Sequence, residues 1–99
     1  MHNAVPELQR EKIMTVLALK DIKRKESAIY YRRQFSANAS YQLPGRKSSG
    51  QIEFTIETTP LGYNDIQVDL VDSVDYPVIQ VKRALKDYIS KLDTAGKLP

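Results

Sequence analysis

Residues 51–73, QIEFTIETTPLGYNDIQVDLVDS, decide the fold. Ile52, Phe54, Ile56 and Thr58 alternate with Gln51, Glu53, Thr55 and Glu57, a period of two that gives a strand one apolar and one polar face. After Pro60, Gly62 and the Asn64-Asp65 pair, which supply turn chemistry, Ile66, Val68 and Leu70 alternate with Gln67 and Asp69 in the same way. So short a connection predicts an antiparallel hairpin. Pairing Ile56 with Val68 and Phe54 with Leu70 stacks the apolar residues on one face and sets Glu57, Gln67, Thr55 and Asp69 on the other.

A helix is predicted directly downstream. Asp75 suits the N-cap and Pro77 the first turn, where a missing backbone N–H costs nothing. Val78, Val81, Leu85, Tyr88, Ile89 and Leu92 recur at three- and four-residue spacing, with Lys82, Arg83, Lys86, Asp87, Ser90 and Lys91 on the opposite side. Gly96 reads as a C-terminal cap, and Lys91 and Lys97 bring positive charge to the negative end of the helix dipole. The apolar stripe is expected to pack on the apolar face of the hairpin.

Upstream, residues 1–5 read as a frayed terminus holding His2, the only histidine. From Pro6 the sequence PELQREKIMTVLALKDIKRK is rich in helix formers, with Leu8, Ile13, Val16 and Leu17 able to share one face, and predicts a helix over roughly residues 6–20. The charge cluster DIKRKE (21–26) follows as an expected loop or helix end. From residue 28 to 43 the odd positions Ile29, Tyr31, Phe35, Ala37, Ala39, Tyr41 and Leu43 alternate with polar even ones, broken only by Arg33. One strand, or two joined across the small residues 36–40, accounts for this pattern, and the rival is a helical continuation over residues 28–35. PGRKSSG (44–50) reads as a loop with Arg46 and Lys47 at its tip.

The resulting fold class is α+β in the order α-β-β-β-α, a three- or four-stranded antiparallel sheet with two helices packed on one face. A chain of 99 residues makes one domain, too small for a deep cleft between lobes. With 41% hydrophobic and 27% charged residues its composition is that of a globular protein. There is no cysteine, hence no disulfide framework, thiolate nucleophile or cysteine zinc site, and the expected compartment is the cytoplasm. The apolar run from Ile13 to Leu19 is too short for a membrane span.

Charge is divided unevenly along the chain. Residues 1–50 carry ten Lys or Arg against four Asp or Glu, a balance of +6, and residues 51–99 carry five against eight, a balance of −3, which together recover the net +3. Such asymmetry points to an anionic partner, although +6 spread around a small surface also serves only to keep a protein soluble. Tyr30 interleaved with Arg32, Arg33, Arg46 and Lys47, together with Lys23, Arg24 and Lys25 of the charge cluster, forms the candidate site. Rings beside guanidinium groups can stack on bases while cations grip phosphates. Tyrosine is equally a favoured strand residue, and alternating arginines equally make a solvent face.

Catalysis finds little support. His2 at an end is a poor partner for a nucleophile, no phosphate loop matches GxxxxGK[ST] or GxGxxG, and no cofactor is implied. Glu53, Glu57 and Asp69 on one sheet face could offer oxygen ligands to a hard cation, but are as readily a solubilised surface.

The predicted element order is similar to that of the double-stranded-RNA-binding domain, a helix, three antiparallel strands and a second helix, in which lysines opening the second helix grip phosphates. Here that helix opens with Asp75-Tyr76-Pro77-Val78, and Lys82 and Arg83 come more than a turn later, so the resemblance covers topology alone. Two functions remain in view. One is a non-enzymatic module whose basic first half binds nucleic acid or another anionic partner such as an acidic protein. The other is a protein-interaction or self-associating domain, a homo-oligomer using the free sheet face or an edge strand.

Overall fold

A computed structural model describes residues 13–99. Four strands, β1 (Thr15–Lys25), β2 (Arg32–Leu43), β3 (Arg46–Thr58) and β4 (Asn64–Leu70), precede one helix, α1 (Val78–Thr94). The strands form an antiparallel meander in the spatial order β1-β2-β3-β4. This corrects the expected α-β-β-β-α order to β-β-β-β-α, with a single C-terminal helix among the described residues. Residues 15–20, expected to be helical, are strand, and the expected helix over residues 6–12 and the frayed residues 1–5 lie outside the described residues. The topology of the double-stranded-RNA-binding domain is therefore not the topology found.

Why β1 mimics a helix follows from its pairing. Val16 faces Tyr41 and Ala18 faces Ser40; Lys20 faces Asn38 and Lys23 faces Ser36, so β1 holds one extra residue at each of two places. Each bulge resets which residues face inward. Val16, Leu19 and Ile22 consequently all reach the core side at a spacing of three, close to a helix turn, in an extended strand. Asp21 at the second bulge takes φ 53, a left-handed conformation that Asp tolerates better than most residues. The charge cluster is thus mostly strand, not a loop or helix end.

The β2–β3 hairpin closes in two residues. Proline fixes φ near −65° at Pro44 and Gly45 adopts φ 76, the requirements of a type II turn, so Leu43 already faces Arg46. Residues 46–50, expected as loop, continue β3. The alternatives for residues 28–35 resolve into a turn up to Tyr31, where Arg32 N–H donates to Ile29 O at 3.1 Å, and strand from Arg32 onward.

In the β3–β4 hairpin Ile52 faces Leu70, Phe54 faces Val68 and Ile56 faces Ile66. The register differs by two residues from the expected one, and because two is a full period every side chain keeps its face. The strands run on to the Thr58–Asn64 pair, leaving a tight loop in which Gly62, at φ 91, donates to Thr59 O at 2.9 Å.

All inward side chains meet one helix. Phe35 and Phe54, directly opposite each other, stack with ring centroids 4.8 Å apart, and Ile52, Ile56, Val81, Leu85 and Ile89 are wholly buried around them. Asp75 does not cap α1: the helix starts after Pro77 with no side-chain cap, and Asp75 instead accepts from Arg46 Nη2 at 2.6 Å. The expected stop does hold. Gly96, at φ 70, donates to Asp93 O and Lys97 N–H to Leu92 O, the paired bonds of a Schellman end. The chain between β4 and α1 presses on Gly50, where a Cβ would sit 3.1 Å from Asp72 Cβ, while Asp72 Oδ2 accepts the Gln51 N–H at 2.8 Å.

Tyr41 is completely buried and its hydroxyl has no hydrogen-bond partner among the described residues; burial pushes its pKa up to about 12. Replacing Tyr41 by Phe removes an uncompensated polar atom and should raise the melting temperature by a few degrees, about 1 kcal/mol. A lower melting temperature in a calorimetric scan would show that the hydroxyl is satisfied. Gly96→Ala forces an L-residue into the left-handed region and should cost about 1 kcal/mol by the same measurement.

Candidate functional site

The eight basic and tyrosine candidates do not converge. Lys23, Arg24 and Lys25 close β1, Tyr30 stands 95% exposed in the following turn, and Arg32 and Arg33 open β2. Arg46 and Lys47 begin β3 at the other end of the hairpin, about 36 Å away along a strand of β2's length.

Half of the candidates are already neutralised within the chain. Arg32, directly across from Glu57, donates to its Oε2 through Nε at 3.3 Å and Nη2 at 3.1 Å. Lys25 reaches over β2 to Glu53, and Arg46 binds Asp75. Arg33 is the residue that breaks the apolar alternation, and it points to the helix side of the sheet. There its guanidinium grips Asp93 near the end of α1 in a two-pronged pair of 2.9 and 3.1 Å, with side chains only 27% and 18% exposed. Asn64 Nδ2 donates to the same carboxylate at 3.1 Å. The hydrogen bond from Arg33 holds the Asp93 pKa below the usual carboxylate range; its charge and Asn64 act in the same sense, and burial partly opposes them.

Lys23, Arg24 and Lys47 remain without an ion pair among the described residues, as does Lys20, which a helical reading of its segment sets aside. Lys20, Lys23 and Lys25 lie opposite Asn38, Ser36 and Gln34, and Lys47 opposite Gln42. All therefore share the sheet face away from α1, which no described element covers. Between them runs an uncharged row, Gln34, Ser36, Asn38, Ser40 and Gln42 on β2 with Ser49, Gln51 and Thr55 beside it on β3. An open depression of about 440 Å³ on this face is lined by Asp21, Lys23, Ser36, Asn38 and Gln51. A second, of about 410 Å³, lies at the end of the lysine row among Arg24, Lys25, Glu26, Ser27, Ile29, Tyr30 and Arg32. Tyr30 there meets Tyr31 edge to face at 5.8 Å, leaving most of its ring surface open.

The far half of the same face is acidic. Glu53 faces Asp69 and Glu57 faces Asp65 across β3 and β4. Like charges placed opposite each other repel, and Lys25 and Arg32 offset two of the four. No group of three or more acidic, histidine or cysteine side chains able to hold a metal occurs among the described residues. No described helix is long and apolar enough to cross a membrane.

Residues 11–94 match the model of a single protein family, the BB_0187 family. The chain belongs to that family. No curated protein and no solved structure matches it. In this member of the family the lysine row lies within the matched region, as do both depressions and the Arg33–Asp93 pair.

A carboxylate whose pKa is depressed by folding stabilises the folded state above its unfolded pKa, about 3.9, and stops doing so as pH falls through the lower folded value. Asp93→Asn should therefore cost about 1–2 kcal/mol at pH 7. It should also flatten the loss of stability that the parent chain shows between about pH 5 and 3. Denaturant titrations across that range check both, and parallel pH profiles for the two proteins would contradict the assignment.

Proposed function

We propose that this chain is a non-enzymatic binding module that takes nucleic acid on the β1–β2 half of its open sheet face. The observation that carries the reading is the row of cations left without an internal partner, Lys20, Lys23 and Lys47, along one side of a strip of amide and hydroxyl groups. Phosphates supply the charge such a row lacks, and amide side chains can both donate to and accept from base edges. Arg24 and Tyr30 at the end of the row offer a guanidinium and an open ring against which a base could stack. The residues we place in contact are therefore Lys20, Lys23, Arg24, Lys47 and Tyr30. Arg32, Arg33 and Arg46 serve the fold. A cytoplasmic setting, expected from the cysteine-free composition, belongs to the same proposal.

A second reading, self-association, has one observation in its favour. The open face is basic along β1 and acidic along β3 and β4, so a two-fold-related copy would set each half against its opposite. The face carries no aromatic anchor among the described residues, which makes it a poor protein interface and a better surface for a polar polymer.

Anisotropy titrations of a labelled mixed-sequence oligonucleotide test the first reading. With three lysines engaged, log K should fall against log salt with a slope of about −2. Lys20→Glu with Lys23→Glu should weaken binding at least about tenfold at low salt, whereas Lys82→Glu on the helix should leave it unchanged. Absence of binding at low salt, together with a dimeric mass by light scattering that the same lysine changes abolish, would favour self-association.

A further inference from the structure

The acidic half of the open face has no role in gripping phosphates, and its position relative to the lysines is fixed by register. One rung of the ladder crosses all four strands as Lys23, Ser36, Glu53 and Asp69. Its neighbours run Lys25, Gln34, Thr55, Gln67 on one side and Lys20, Asn38, Gln51 on the other. Next to the first comes Arg32, Glu57, Asp65. Charge therefore changes sign across the face, from positive through neutral to negative, within one sheet width.

Adjacent strands lie about 4.8 Å apart, so Glu53 is about 10 Å and Asp69 about 14 Å from the β1 row. In B-form duplex the two backbones flank grooves about 6 and 12 Å wide. A duplex with one backbone on Lys20, Lys23 and Lys47 thus carries its second row of phosphates onto β3 and β4. Lys25 and Arg32 offset Glu53 and Glu57, but Asp65 and Asp69 have no ion pair among the described residues; Asp65 accepts only from the Gln67 amide at 3.2 Å. A single strand has no second backbone. Its bases fall over the uncharged middle strip, where their hydrogen-bonding edges, unoccupied by a complementary strand, meet Gln34, Ser36, Asn38 and Gln51.

We infer that the sign change across this face makes it selective for single-stranded over duplex nucleic acid, with Asp65 and Asp69 as the residues that reject the second backbone. The inference rests on the nucleic-acid reading above. It deepens that reading by naming the form of nucleic acid and by giving the acidic residues a specificity role that neither depression suggests.

The experiment uses the full chain and two labelled probes of one sequence at low salt, a single-stranded 12-mer and the same strand annealed to its complement, each as DNA and as RNA. Single strand should bind at least about tenfold more tightly than duplex. Asp65→Asn with Asp69→Asn should narrow that ratio severalfold, mainly by tightening the duplex. Both positions are exposed, and thermal melts establish that the variant is folded. As a second measurement, raising salt should narrow the ratio in the parent chain, since screening weakens the repulsion. Equal affinity for the two probes, or a ratio that the aspartate changes leave untouched, overturns the selectivity while leaving the binding module standing. Failure of both probes to bind overturns the two together.

Discussion

A four-stranded sheet covered on one side only must sort its side chains by parity, and nearly everything in this chain follows from that constraint. Phe35, Ala37, Ala39 and Tyr41 of β2 and Ile52, Phe54 and Ile56 of β3 turn the same way because they alternate without interruption, and Phe35 lies flat on Phe54 at the centre. The helix needs only Val81, Leu85 and Ile89 to close the layer. Because β2 and β3 pair without a bulge over twelve residues, the rows of the opposite face are equally well ordered. That order puts lysines, amides and carboxylates in separate columns.

The later half of the chain is readable because its two periodicities are undisturbed. Ile52 to Leu70 alternates cleanly, Val81 to Ile89 repeats at four, and Gly96 stops the helix as glycine does when it takes a positive φ. β1 misleads because two extra residues convert an alternation into a spacing of three, so that Val16, Leu19 and Ile22 look like a helix stripe. The start of β3 misleads for a different reason. Its inward positions are Ser48, opposite Tyr41, and Gly50, which Asp72 crowds, so strand continues where no apolar residue announces it.

The candidate site is legible in kind and not in detail. Sequence identifies the cations, but an ion pair joins residues that are far apart in the chain: 25 positions between Arg32 and Glu57, 60 between Arg33 and Asp93. Which charges remain for a ligand is thus decided by register. Arg33 shows this most directly. Its odd position in β2 is visible as a break in the pattern, and the break marks an internal clamp between sheet and helix, with Asp93 held ionised beneath it. Lys20 becomes interesting only once β1 is a strand.

Every strand pairs with the strand that follows it in the chain, and the β2–β3 turn spends only Pro44 and Gly45 on reversal. The sheet therefore asks for no long loop to close before its first contacts form. Assembly can proceed as successive zippers from the Pro44–Gly45 corner outward, each new hairpin laid on an edge already in place, with α1 docking last. For an antiparallel sheet this is a kinetically undemanding route, on the fast side of what all-strand architectures permit. It would also leave the aromatic pair at the centre only briefly in water during synthesis.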